Sequence, residues 1–214
     1  FHSRYTIKTL QFIGRPGSDY SDILIHPDHP ECVEKLWQFV LDNCEGSVLH
    51  LEGISQESPS NNFFKNNSAS LKHGIRRNII YNSPFIDIAH DWTHYKTSIK
   101  KRLLQDTSRQ IRRLNVISEL VFTNISDSDE INKLLRQMIE QKIQRYKSTG
   151  AKNIFRDGRY EAFYKSISQK FLAKGYLDFS HIKLGSELLA IHFGFIYREK
   201  FFYYMPSFNL DYSN

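Results

Sequence analysis

The chain has 214 residues, of which 40% are hydrophobic and 24% are charged, and it contains only 10 glycines and 6 prolines. This composition excludes a disordered, collagen-like or low-complexity chain, and the length is sufficient for a buried core without disulfide or metal support. The formal net charge of +6 is concentrated between Lys96 and Arg113, where seven basic residues accompany a single acid. An anionic partner is therefore expected at this segment first.

Signals for processing and compartment are few. The sequence begins at Phe1 and shows neither a signal peptide nor an apolar run of the ~18 residues that would cross a bilayer. Its two cysteines, Cys32 and Cys44, are a poor disulfide framework and are interpreted as reduced thiols. We therefore expect a cytoplasmic protein, or an excised piece of one, whose membrane contact is at most peripheral.

The first half of the chain alternates strand and helix patterns. Short runs rich in β-branched and aromatic residues predict strands at 9–13, 22–25 and 48–51. Pro30 opens a helix. Its apolar residues share one face, at Val33, Leu36, Trp37, Val40 and Leu41. Turns are expected at 14–18 and 43–46, an irregular loop in the Ser- and Asn-rich segment 55–70, and an extended stretch at 78–88.

The basic segment is predicted to lie on a long helix. Asp91 is a suitable N-cap for a helix that begins at Trp92. Apolar residues at helical spacing mark its expected buried side, namely Trp92, Tyr95, Ile99, Leu103, Ile111 and Leu114. Arg102, Arg109 and Arg113 are seven and four residues apart, so they form one stripe on another side. This arginine stripe is either a solvated helix face or a contact surface for phosphate groups.

A strand and two more helices are expected next. The strand is predicted at 116–122, and Ser126 begins a capping pattern for a helix that Gly150 ends. The inward residues of this helix are Ile131, Leu134, Leu135, Met138, Ile143 and Tyr146. The following helix is predicted at 159–173, with Gly175 as its stop. Its inward residues are Tyr160, Phe163, Tyr164, Ile167 and Phe171.

The last part of the chain predicts an antiparallel meander. Strand-like runs at 176–184, 187–197 and 201–208 are joined by connections that are too short for any other topology. The chain is therefore assigned to the α/β class, with a mixed, largely antiparallel sheet that is flanked by helices.

The third strand of the meander has an unusual composition. Large side chains lie on both of its faces, with Phe202, Tyr204 and Pro206 on one and Phe201, Tyr203 and Met205 on the other. This pattern predicts an inner strand. Because Pro206 has no N–H for the ladder, the sheet is expected to splay there and to free backbone groups for an extended ligand. The alternative is a strand that simply ends at Pro206, and a strand at the rim of the sheet would count against a transferase.

Several well-known motifs are missing. There is no Walker phosphate loop, no Gly-x-Gly-x-x-Gly and no Gly-x-Ser-x-Gly, so common nucleotide, redox and serine-hydrolase chemistries lose support. His26, His29 and Cys32 carry metal-ligand atoms at short spacing, but Pro27 and Pro30 interrupt them and no fourth ligand is evident. A polar turn entering a helix is the preferred interpretation, and no metal site is predicted.

Three groups of residues follow one another in a recognisable order. They are an early strand and turn at 10–14 and 19–22, an Arg-rich helix that includes Trp92, Tyr95, Arg102 and Arg112-Arg113-Leu114, and a central meander at 175–184, 188–193 and 203–204. In this order, over nearly the whole chain, they resemble the GNAT-fold acyltransferases of the cellulose and exopolysaccharide biosynthesis type, which are related to the Fem-type aminoacyl transferases.

The resemblance implies tandem GNAT-like halves, 1–90 and 91–214, and transfer of an acyl group from acyl-CoA, such as acetyl-CoA, to an amine or hydroxyl in polysaccharide or cell-envelope biosynthesis. In this fold the splayed strand offers backbone groups to the thioester and the pantetheine arm. The residues that would border the pantetheine are Met205, Pro206, Ser207 and Phe208. The family continues into a pyrophosphate loop, a helix and further strands, whereas this sequence stops at Asn214. We therefore expect an incomplete second half with little or no activity.

Acyl transfer requires a base for the acceptor and stabilisation of the developing charge. The resemblance places His192, Tyr203 and Tyr204 on the acceptor side. His192, or Glu187 acting through water, is the expected base, and Tyr203 or Tyr204 is the expected acid for the leaving thiolate. Core packing is the alternative for the histidine and both tyrosines. An anionic substrate is expected at the arginine stripe, at Arg102, Arg109 and Arg113.

Two other functions are left open by the sequence. A Fem-type transferase would take its aminoacyl group from tRNA, which the basic helix could bind. A non-catalytic GNAT-like module would use the same helix to bind a partner or a membrane surface.

Overall fold

The structure is a computed structural model that describes residues 8–14, 17–44, 47–68, 74–80, 82–88 and 91–212. It divides into two compact units, Phe1–Phe85 and Ile86–Asn214. That either unit is a GNAT-like half stays a prediction.

The first unit combines a short parallel strand pair with two helices. Strand β1 (Lys8–Leu10) pairs in parallel with β2 (Ser47–Leu49). The helices are α1 (Cys32–Asn43) and α2 (Pro59–Asn67). Their facing sides form a small core of Val33, Trp37, Leu41 and Phe63. The predicted apolar face of α1 is confirmed at Val33, Trp37 and Leu41, whereas Leu36 is 40% exposed.

Helix α2 replaces the irregular loop that was predicted at 55–70, and this prediction was wrong. The Ser58 hydroxyl accepts a hydrogen bond from the Asn61 amide at 3.1 Å, and Pro59 occupies the first helical turn. Phe63 is then buried beside Trp37. The polar composition of this segment predicts a loop. The helix forms nevertheless, because a good N-cap and one buried aromatic ring are enough to stabilise so short an element.

Some strands and turns predicted for the first unit are not found, and others lie on residues that the structure does not describe. Residues 22–25 form no strand, and β1 ends at Leu10 rather than at Ile13. Residues 74–80 and 82–88 contain neither helix nor strand. The predicted turn residues at 15–16 and 45–46, residues 69–70 of the predicted loop, and Tyr81 within 78–88 lie outside the described residues.

The second unit contains four helices, a four-stranded sheet and a final 3-10 turn within its described part. The helices are α3 (Trp92–Ser98), α4 (Lys101–Ile117), α5 (Ser128–Thr149) and α6 (Arg159–Ala173). The strands are β3 (Leu120–Asn124), β4 (Leu177–Leu184), β5 (Glu187–Tyr197) and β6 (Lys200–Phe208). Leu210–Tyr212 form the turn. All pairings in the order β3-β4-β5-β6 are antiparallel, so the α/β class and the meander are confirmed.

Helices α5 and α6 cover one face of this sheet, which we call the helix-covered face. Met138 and Phe193 are fully buried there, and Phe179 and Ile191 are nearly so. The bounds predicted for α6 are confirmed, and Gly150 ends α5 in the left-handed conformation with φ of 69°. Two details differ from expectation: Asp127 rather than Ser126 caps α5, and Phe163 is 47% exposed.

The long helix that was predicted from Trp92 is two helices. Asp91 does cap the first of them, because its carboxylate accepts a hydrogen bond from the His94 amide at 2.7 Å. Ile99 then adopts extended backbone with ψ of 137°, and a new helix starts at Lys101. Residues 116–117 therefore end α4, and the strand predicted at 116–122 begins only at Leu120.

The predicted buried side of these two helices was wrong. No residue of α3 or α4 is buried, and Trp92 and Leu103 are each 60% exposed. Helix α4 lies against β3 and β4, and its least exposed residues, Leu104 and Leu114, are only half-buried. Helical spacing of apolar residues identified the helix, but it did not determine how much of that side is covered.

Candidate active site

Strand β6 lies at the edge of the described sheet, so the prediction of an inner strand was wrong. Among the described residues it pairs only with β5. Met205 and Ser207 are buried on the helix-covered face, but Phe201 and Tyr203 are 56% and 67% exposed. Aromatic residues on both faces of a strand therefore do not imply burial on both faces.

The sheet also does not splay from β5 at Pro206. His192 and Pro206 are paired in register, and the Asn209 amide donates to the Leu189 carbonyl at 2.7 Å. Because hydrogen-bonded and non-hydrogen-bonded pairs alternate in an antiparallel ladder, the His192–Pro206 pair is a non-hydrogen-bonded one. The ring nitrogen of Pro206 therefore points to the outer edge, and no ladder bond is lost.

An irregularity does exist two residues earlier, at Tyr203 and Tyr204. The register changes between the pairs Phe193–Met205 and Phe195–Phe202, so two residues of β6 oppose the single Gly194. Because of this β-bulge, Tyr203 shares a face with Pro206 and Tyr204 shares a face with Met205, so the faces predicted for the two tyrosines were wrong. Tyr203 stacks on His192, whereas Tyr204 packs against the helix-covered face.

His192 is the best-defined candidate for chemistry. Its ring is parallel to that of Tyr203, with centroids 4.6 Å apart and an interplanar angle of 5°. Its Nδ1 lies 3.4 Å from Oδ1 of Asp178, and both side chains are largely buried. Its Nε2 is buried and has no hydrogen-bond partner among the described residues.

Gly194 makes room for this imidazole. A Cβ at residue 194 would lie 2.3 Å from Cε1 of His192 and 2.6 Å from the Phe202 carbonyl oxygen. The face that carries Asp178, His192 and Tyr203, here called the His192 face, is thus shaped by a glycine as well as by the bulge.

Burial makes the imidazole less easy to protonate. It lowers the pKa of His192, and the Asp178 carboxylate opposes this shift only in part. His192 is therefore neutral near pH 7, which is the state that a general base requires. Asp178 was not singled out in the sequence.

Tyr204 and Glu187, which were also predicted to act in catalysis, do not lie beside His192 and Asp178. The Tyr204 hydroxyl lies 3.4 Å from that of Tyr164, on the helix-covered face, and burial raises the pKa of Tyr164. Glu187 is exposed at the start of β5, opposite Leu184. It lies five positions before His192 along β5, which corresponds to roughly 16 Å.

The side chains expected to border a cofactor are mostly engaged in packing. Met205 is part of the core, and the Ser207 hydroxyl donates to Oε1 of Gln141 at 2.7 Å. The Phe208 ring lies 5.2 Å from the guanidinium of Arg145 on α5. Only the backbone of this segment, together with the half-buried Pro206 ring, is left to meet a ligand at the outer edge.

The arginine stripe is exposed along α4. The side chain of Arg109 forms an ion pair with Asp106 at 2.6 Å, one turn away. Arg102 and Arg113 form no ion pair with a carboxylate among the described residues. These two cations are therefore accessible to an anion.

No group of three or more metal-binding side chains is present in the described part of the chain. His26 and His29 instead lie near Asp28 and Glu31. The described helices include none that is both long and apolar enough to span a bilayer.

A family model described as "Acetyltransferase (GNAT) domain" matches residues 101–214, just over half of the chain. This region contains α4, the whole antiparallel sheet and the His192 face. No curated protein and no solved structure matches the chain.

Proposed function

Because the chain belongs to the acetyltransferase (GNAT) domain family, we propose that it transfers an acyl group from acyl-CoA to an amine or hydroxyl acceptor. The family match carries this proposal. An inner, splayed strand no longer supports it, since β6 lies at the edge of the described sheet. The position of His192 supports it independently, because a buried, neutral imidazole with an unbonded nitrogen is suited to accept a proton.

The outer edge of β6 is the proposed site for the thioester arm. In the register given above, the backbone groups of residues 206 and 208 point away from β5. Pro206 can offer only its carbonyl, whereas Phe208 offers both its N–H and its carbonyl. The amide groups of a pantetheine arm would bond to this edge as a further strand does.

The side chains of the His192 face can supply the base and the acid that the proposed acyl transfer needs. The acceptor nitrogen or oxygen attacks the thioester carbonyl carbon, forming a C–N or C–O bond while the C–S bond breaks. The proton of the acceptor passes to Nε2 of His192, a tyrosine hydroxyl gives a proton to the departing thiolate, and exchange with water returns the imidazolium and the tyrosinate to their neutral forms. Tyr203, which stacks on His192 and is largely exposed, is the nearer of the two proposed tyrosine acids.

Titration calorimetry of the chain with acetyl-CoA tests this proposal. We expect a saturable binding isotherm that free CoA reproduces and that AMP does not. Absence of heat at about millimolar ligand, where a weak complex of about −4 kcal/mol would be visible, would contradict it.

The acceptor class rests on the resemblance to exopolysaccharide-type transferases. We propose an amine or hydroxyl of a saccharide or cell-envelope precursor, and a cytoplasmic location. An acceptor panel assayed for free thiol release would distinguish amino sugars from hydroxyl-only sugars. Thiol release with an acceptor other than a saccharide, and none with any saccharide, would contradict this part of the proposal alone.

The exposed arginine stripe favours a second candidate function, which has two forms. The first is transfer of an aminoacyl group from aminoacyl-tRNA, and the second is a non-catalytic binding role. Arg102 and Arg113 are accessible cations on one side of α4. Retention of aminoacyl-tRNA that weakens steeply with salt would support the first form. Binding of a protein partner or an anionic membrane, lost on reversing the charges of Arg102, Arg109 and Arg113, would support the second.

A further inference from the structure

A carboxylate that the sequence did not mark lies against the candidate base. Asp178 is on β4 and opposes Gly194, and its Oδ1 is 3.4 Å from Nδ1 of His192. The two side chains are only 19% and 13% exposed, so the pair is screened weakly by water. Asp178 is also the one charged group among the described residues that affects the pKa of His192.

The contact selects one of the two neutral forms of the imidazole. If Nδ1 carries the proton, its N–H donates to the carboxylate of Asp178. If Nε2 carries the proton, the lone pair of Nδ1 faces a carboxylate oxygen, which is repulsive. The form with Nδ1–H is therefore favoured, and it leaves a lone pair on Nε2.

The plane of the ring is fixed as well as its tautomer. Tyr203 stacks on the imidazole, and the Phe201 ring centroid is 5.2 Å from that of His192. Gly194 lies beneath the edge that carries Cε1 and Nε2. The buried, unbonded Nε2 is thus held in one place with its lone pair unoccupied.

We propose that Asp178 is the positioning residue of this site, which holds His192 as the Nδ1–H tautomer so that Nε2 is the basic atom. The proposal deepens the acyltransferase function proposed above and rests on it for its purpose. The tautomer and the coupling between the two side chains can be measured without any substrate. Asp178 itself takes no proton from the acceptor, since it is separated from it by the imidazole.

Nuclear magnetic resonance of the ¹⁵N-histidine-labelled 214-residue chain provides the test. The His192 signals are identified by their loss in His192→Asn, and long-range proton–nitrogen spectra distinguish the two tautomers. We expect Nδ1–H in the unsubstituted chain. In Asp178→Asn we expect the pKa of His192 to fall by roughly 1 unit, because the carboxylate charge that favours the imidazolium is gone. Asp178→Glu should restore part of that shift.

The matched control is Glu161→Gln, an exposed carboxylate on α6, which should leave the His192 signals unchanged. A purely structural pair would lower the melting temperature of Asp178→Asn without shifting the His192 titration. Observation of Nε2–H in the unsubstituted chain would overturn the proposal even if Asp178→Asn failed to fold. Failure of acetyl-CoA to bind would instead remove the acyltransferase function, and the two failures are distinguishable.

Discussion

The two faces of the antiparallel sheet are built on different principles. On the helix-covered face, apolar side chains such as Met138 and Phe193 are packed by α5 and α6. On the His192 face, a carboxylate and an imidazole are buried together beside an exposed tyrosine. The first arrangement stabilises the unit, whereas burying charge and leaving Nε2 unbonded costs stability. Sites that are retained at such a cost are candidates for function.

The largest effect is expected from a cavity in the helix-covered face. Met138→Ala removes a side chain that is 0% exposed, so we expect the free energy of unfolding to fall by about 2–5 kcal/mol in urea denaturation. Phe163→Ala on α6 is the control, because that ring is 47% exposed and should cost much less. Equal losses in the two variants would contradict the assignment of the core.

A smaller but more local effect is expected on the other face. Gly194→Ala would place a Cβ 2.3 Å from Cε1 of His192 and 2.6 Å from a backbone oxygen, so we expect a loss of about 1–3 kcal/mol and displacement of the imidazole. Gly74→Ala is the matched control, since nothing lies within 4 Å of a Cβ there. If Gly194→Ala is as stable as Gly74→Ala, the described packing around His192 is incorrect.

The buried histidines predict a pH dependence of stability. Burial lowers the pKa of His192 and, together with Lys183, that of His181. As the pH falls below about 6.5, the unfolded chain therefore binds more protons than the folded one, and the free energy of unfolding decreases. We expect a lower melting temperature at about pH 5.5 than at about pH 7.5, and a shallower dependence in His192→Asn. An identical dependence in that variant would contradict the pKa shift of His192.

The smallest effect on stability is expected from the arginine stripe. Charge reversal at Arg102 and Arg113 changes exposed side chains without a carboxylate partner, so thermal unfolding should shift by less than about 0.5 kcal/mol. A loss of several kcal/mol would show that α4 is held by contacts other than those described.

Much of the helix-covered face could be predicted from the sequence, because the spacing of apolar residues marks which side of each helix is buried. Helix α6 was located from its apolar spacing and its glycine stop, and the meander from its two tight connections. The same signal was insufficient for α2, where a Ser58 cap and a single buried Phe63 outweigh a polar composition. It was misleading for α3 and α4, where apolar spacing is present and burial is not.

The His192 face could not be predicted because two register changes determine it. Counting back from the Leu184–Glu187 pair would set Asp178 opposite Phe193, on the helix-covered side. The irregularity after Ile182 moves it opposite Gly194, next to His192. The bulge at Tyr203 and Tyr204 likewise exchanges the faces of these two tyrosines relative to Met205 and Pro206. A single inserted residue exchanges the two faces of a strand, and no local propensity reports it.

The most direct test of the acyltransferase account is an amide chemical-shift titration with acetyl-CoA. If the thioester arm lies along the outer edge of β6, the Phe208 amide and the amides around His192 should shift in a saturable way. Amides of the helix-covered core, such as that of Met138, should remain unchanged. Shifts confined to α4, or the absence of any shift along β6, would contradict the account.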